Sequence, residues 1–106
     1  MIKILLSTLT FLALSKAHSI LDYGALDGAS ENTTRAFINS LAFTQAIIAA
    51  NASLEDRTVV IPNNYTFIMM PVALSNIRDV KLLIDGTVYA SQDYQSWNRS
   101  TDGKSY

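Results

Sequence analysis

Two stretches of this chain read strand, turn, strand, and the interval between them limits the folds open to it. Val60-Ile61-Pro62 and Leu83-Ile84-Asp85 lie 23 residues apart, and Thr66-Phe67-Ile68 and Gly86-Thr87-Val88 lie 20 apart. An interval on the order of 20–25 residues is a solenoid period. A meander of hairpins would use short glycine-bearing turns and would not need the nine-residue link 71–79, whereas parallel strands need such a return path. The spacing therefore predicts that Val60 pairs near Leu83, in parallel, within one sheet. The exposed edge of the last strands is expected to promote association.

The surrounding residues agree with a mostly β chain holding one helix. Thr58-Val59-Val60-Ile61 is β-branched and stops at Pro62. Asn63-Asn64 and Asp85-Gly86 are turn pairs between strands at 65–70, 80–84 and 87–90. Residues 20–23 form a short extended candidate, and 24–32 are turn-rich. Residues 33–50 are the one predicted helix, capped by Ser30 or Asn32. Phe37, Ile38, Leu41 and Ile48 form a stripe at helical spacing, with Phe43 and Ile47 well off it.

The amino terminus is different in kind. Residues 1–19, MIKILLSTLTFLALSKAHS, place Lys3 before an apolar stretch from Ile4 to Leu14 and end on small residues. This is the layout of a secretory leader. Ala17-His18-Ser19 offers one cleavage site and Ser15-Lys16-Ala17 a second. The apolar stretch would span only about 17 Å as a helix, against a hydrocarbon core of about 30 Å, so it is too short for an anchor. A domain is expected over 20–106, secreted and free of the membrane after cleavage. N-x-S/T sequons at Asn32, Asn51, Asn64 and Asn98 are candidate glycosylation sites in an exported chain.

Composition removes several chemistries. With 49% hydrophobic residues the chain is not a disordered tail. A formal net charge of -1 argues against a nucleic-acid partner held by phosphate neutralisation. There is no cysteine, hence no disulfide framework, thiolate metal site or cysteine nucleophile, and the one histidine, His18, lies in the leader as read to Ser19. Glu55-Asp56 reads as a solvated loop. Asp79 and Asp85 flank a strand and read as turn residues. Asp22, Asp27 and Asn32 lack the ordered oxygen spacing of a calcium loop. No catalytic residue, cofactor site or metal site is assigned. Tyr89 reads as core; Tyr94 and Trp97 are candidates for stacking on a sugar.

The run Asp22-Tyr23-Gly24-Ala25, then Asp27-Gly28, Asn32-Thr33, a helix, and Thr58-Val59-Val60-Ile61-Pro62 resembles the start of the pectin-lyase-like right-handed β-helix proteins. Within them it is most similar to the polygalacturonase-like glycoside hydrolases of family 28. Leu83-Ile84-Asp85-Gly86-Thr87-Val88 and Ala90-Ser91 match the next strand pair of that family, and Asp93-Tyr94 and Trp97 fit the loop that follows. The chain departs from the pattern in a shorter first loop, in Glu31 where aspartate is common, in Asn63-Asn64 after the proline, and in a longer helix.

The resemblance implies a right-handed parallel β-helix of about two coils, closed at its amino-terminal end by the helix. Phe37, Leu41 and Ile48 would cover the first coil, and Gly24 would let the backbone pass close to it. It implies an incomplete domain from a secreted hydrolase of pectin-type polysaccharide. The family's Asn-Thr-Asp, Asp-Asp, Gly-His-Gly and Arg-x-Lys motifs are not in this chain, which alone would be inactive. The alternatives are a non-catalytic β-helix protein for carbohydrate binding or adhesion, and a pectate-lyase-like protein.

Overall fold

The structure is a computed structural model, described here for residues 17–93, 95 and 97. In chain order it holds β1 (His18–Ser19), a 3-10 turn (Ile20–Tyr23), helix α1 (Thr33–Ala52), β2 (Thr58–Ile61), β3 (Thr66–Met69), β4 (Lys81–Ile84) and β5 (Thr87–Ala90). The strands form two separate sheets, β1-β2-β4 and β3-β5. Every pairing is parallel.

Register follows from the interval. Val60 pairs with Leu83 and Ile61 with Ile84. In the second sheet Thr66 pairs with Thr87, an offset of 21 residues, one more than the sequence interval suggested. That single residue matters, because a slip of one turns every side chain to the opposite face. With the observed register Phe67 lies beside Val88, apolar on apolar.

The expected right-handed β-helix is not formed. The described residues make two small, flat, uncurled sheets that do not close into coils. Two local features account for this. The return segment 70–80 carries no strand; Pro71 interrupts it, and Asn76 and Asp79 have φ of 60° and 57°, incompatible with an extended strand. Below β2 there is only the two-residue β1, after which the chain tightens into the 3-10 turn. Residues 20–23 are therefore not extended. The Ser19 hydroxyl accepts from Leu21 N–H at the start of that turn, and Gly24 ends it at φ 99°. Gly24 is needed for that backbone angle and not for a close approach, since a Cβ there would meet nothing within 4 Å.

Helix α1 is capped by Asn32, whose side chain accepts from Arg35 N–H at 2.9 Å. It packs mainly on β3 and the 3-10 turn. The buried face is Ala36, Asn39, Ala42, Ala46, Ile47 and Ala50, while Phe37, Ile38, Leu41 and Ile48 are exposed. The expected covering stripe thus points outward. Alanine lets the helix backbone lie close to the sheet, and close approach buries more atoms per turn than bulky side chains held at a distance. The main core joins Ile20, Val59, Ile61, Phe67 and Met69 to that alanine face.

At the corner after β2 the chain crosses itself. Asp85 and Gly86 N–H both donate to Ile61 O, and Thr87 N–H donates to Tyr65 O. A Cβ on Gly86 would lie 2.3 Å from Pro62 O and 2.9 Å from Tyr65 O. Gly86→Ala is therefore expected to force the two corners apart and destabilise the fold by roughly 1–3 kcal/mol. Urea unfolding checks this, and an unchanged midpoint would refute the stacked corner.

Candidate docking face

The side chains of β2 and β3 that point inward form columns with those of β4 and β5. Val59 stands beside Leu82, Ile61 beside Ile84, and Phe67 beside Val88. The inner members are covered, at 0%, 2% and 0% exposure. Their partners stand at 47%, 53% and 38%. The core thus runs uncapped to an open end, where an apolar groove of about 440 Å³ lies between Leu82, Ile84, Val88, Tyr89, Met69 and Trp97. Strands β4 and β5 are each the outer strand of their sheet. Among the described residues no strand lies beyond either, so each carries backbone N–H and C=O groups open on one side, as any edge does.

Tyr89 is exposed at the groove wall and is not a core residue. Trp97 packs against the small cluster of Ala36, Ile68 and Met70, and its Nε1–H donates to Ser91 O at 3.1 Å. Tyr94 lies outside the described residues. Below Trp97 the Glu31 carboxylate accepts from the Ser91 hydroxyl at 3.1 Å and from Gln92 N–H. Thr33 Oγ1 donates to Asp93 at 2.8 Å. This network pins residues 91–93 to the start of α1.

Of the acidic residues singled out in the sequence, Asp27 and Asp56 hold turns with their carboxylates, and Asp79 and Asp85 act through their backbone. Asp27 accepts from Thr66 N–H at 2.8 Å, and Asp56 from Thr58 N–H at 2.9 Å. Asp79 has left-handed backbone and offers its carbonyl to Arg57. Asp85 N–H closes the corner. Among the described residues no three His, Cys, Asp or Glu side chains gather where they could hold a metal ion, and no helix is long and apolar enough to cross a membrane.

The sequons stand in different settings. Asn32 is the exposed helix cap. Asn51 sits in a polar clasp, donating to Asn76 O and accepting from Arg57 and from Arg78 N–H. Asn64 is exposed at the tip of the corner with φ 68°. Asn98 lies outside the described residues.

Two residues that organise the site escaped sequence reasoning. Asn39 is fully buried and links α1 to Leu26 and Ile68. Arg57 donates to the carbonyls of Asn51 and Ser53 at 2.8 and 2.7 Å and so joins the end of α1 to β2. A polar residue within an apolar helix run was the signal for Asn39. Arg57 beside two acids gave none.

The expectation of a pectin-degrading hydrolase fragment does not hold. The catalytic coils of such an enzyme stand on a curled solenoid, and this chain forms a small mixed α/β unit of flat sheets. The β-helix variants of the binding and lyase readings fall with it. The chain matches no family model, no curated protein and no solved structure.

Proposed function

We propose that this chain is an exported assembly module, and that the open end of its two sheets joins a second copy of the chain. The observation that carries the reading is the set of columns, covered on β2 and β3 and bare on β4 and β5. A polypeptide edge satisfies both demands of this face, supplying backbone partners to the outer strands and apolar side chains to the groove. A sugar would need polar side chains converging on it, and the named groove walls are aliphatic or aromatic.

Residues 98–106, NRSTDGKSY, hold no alternating apolar pattern, and the apolar residues 4–14 belong to the leader. A second copy brings an identical bare face, and a two-fold arrangement satisfies both at once. Export rests on the leader-like 1–19 segment and on the sequons.

The test is light scattering on the purified mature chain. A dimer is expected at micromolar concentration. Ile84→Lys, at the end of an inward column, is expected to give a monomer, while Leu83→Lys, on the opposite face of the same strand, leaves the dimer intact. A monomeric parent chain at about 100 μM refutes the reading, since specific dimers of standard interface size form well below that. A monomer that binds polygalacturonate would favour a polysaccharide partner instead.

A further inference from the structure

We propose that assembly of this chain stops at a pair because the chain seals the opposite edge of its own sheets, with Asp27, Gly28, Asn39 and Ser40 as the seal. The inference rests on the docking reading above and names what limits it. A filament needs two unlike faces that fit each other, so that each copy adds to the last, whereas a two-fold pair uses one face twice.

The back edge of β3 is where the open end of another copy would otherwise join. Backbone groups alternate along a strand, so Thr66, Ile68 and Met70 turn theirs away from β5. Each is held by the same chain. Thr66 N–H donates to the Asp27 carboxylate at 2.8 Å, and Thr66 O accepts from Gly28 N–H at 2.9 Å. Ile68 O accepts from Asn39 Nδ2 at 2.9 Å. Met70 N–H donates to Ala36 O at 3.4 Å, and Met70 O accepts from the Ser40 hydroxyl at 2.8 Å. A loop and a helix thus stand where a neighbouring strand would, and a helix offers no ladder to a further copy, since its backbone is bonded within itself.

On the other sheet β1 covers β2, and β1 is two residues long before the chain tightens into the 3-10 turn. An edge that short gives a joining strand little to pair with. Ala42, Ala46 and Ala50 close the core beside it. The front is the reverse. Lys81 and Asp85 N–H donate back to Arg57 O and Ile61 O, and Thr87 and Ser91 N–H to Tyr65 O and Met69 O. The alternation therefore turns the backbone groups of Leu82, Ile84, Val88 and Ala90 to the open side, beside the bare columns. With one face open and the other sealed, copies can join front to front and cannot continue front to back.

The experiment is light scattering and residue-resolved amide exchange on the purified parent chain and on Ile84→Lys. The parent is expected to hold at a pair as its concentration rises. Larger species of folded chain overturn this inference and leave the docking reading standing, while a monomeric parent overturns both. In the Ile84→Lys monomer the Thr66 and Met70 amides are expected to be protected already. Those of Leu82, Val88 and Ala90 should exchange freely there and slow only in the parent pair. Thr66 and Met70 amides that slow only on pairing would make the back edge a joint and not a seal. Asp27→Ala is expected to speed exchange at Thr66 by roughly tenfold, and Asp27→Asn, which keeps an acceptor oxygen, by much less. Equal rates at Thr66 in the parent and both variants would overturn the seal at β3.

Discussion

Replacing Asn39 by alanine is expected to destabilise the fold by roughly 3–5 kcal/mol, enough to unfold much of a small domain. The side chain is wholly buried. Its Oδ1 accepts from Leu26 N–H at 2.7 Å, and its Nδ2 donates to Leu26 O at 3.1 Å and to Ile68 O at 2.9 Å. Removing it strands three backbone groups in a dry interior, each costing about 1–3 kcal/mol when unpaired. It also unties the loop before α1 from β3. Asn39→Asp should do no better, since a carboxylate cannot donate to the two carbonyls. Urea unfolding with the slope unchanged is the measurement. A loss under about 1 kcal/mol would mean that water replaces the amide, and that the interior there is not dry.

A second large loss is expected from Phe67→Ala. Phe67 is fully buried, stacks on Tyr65 with ring centroids 6.0 Å apart, and sits in the main core beneath the alanine face of α1. Deleting a buried phenyl group costs about 3–5 kcal/mol. For a domain of this size that corresponds to a fall in melting temperature of more than about 12 °C. Phe67 also backs Val88 at the bare end of the second sheet. The variant should therefore lose the dimer along with its stability. A destabilised chain that still dimerises at full strength would separate the groove from the core.

The parts of this fold that could be read from the sequence are those set by local chemistry. Thr58 to Ile61 is β-branched and ends at a proline, so β2 is a strand whatever surrounds it. Asn32 caps because its side chain reaches the N–H three residues on. The interval between Val60 and Leu83 became register because one strand face must stay apolar. What could not be read depended on distant partners. Closure into a coil required a third run of strand through 70–80, where the positive φ of Asn76 and Asp79 forbids one. The buried face of α1 was misjudged because hydrophobicity ranks Leu41 and Ile48 above Ala46 and Ala50. Packing distance ranks them the other way. The docking face was legible only as an exposed edge. Its third column, Phe67 beside Val88, emerged once the register of β5 was known to be 21 and not 20. The resemblance to family 28 enzymes lies in short motifs of turns and strands, and such motifs do not carry an architecture by themselves.

The parallel order of the strands has a consequence for how the chain is made. Only β2 pairs with the strand synthesised just before it, and helix α1 lies between the two. His18 waits for Val59, Thr58 waits for Lys81, and Thr66 waits for Thr87. At a translation rate of about 5–20 residues per second, the 23-residue wait between β2 and β4 lasts roughly 1–5 s. Helix α1 has no such delay, since helices form in about a microsecond. It is complete before β2 leaves the ribosome, and each later strand settles onto what already stands. Growth therefore runs in one direction, and the bare edge always belongs to the newest strand. A nascent chain paused after Ile61 would show a bare apolar β2 to its surroundings, and the same face would next appear one strand further on. The open end of the described fold is the growing end of its own folding.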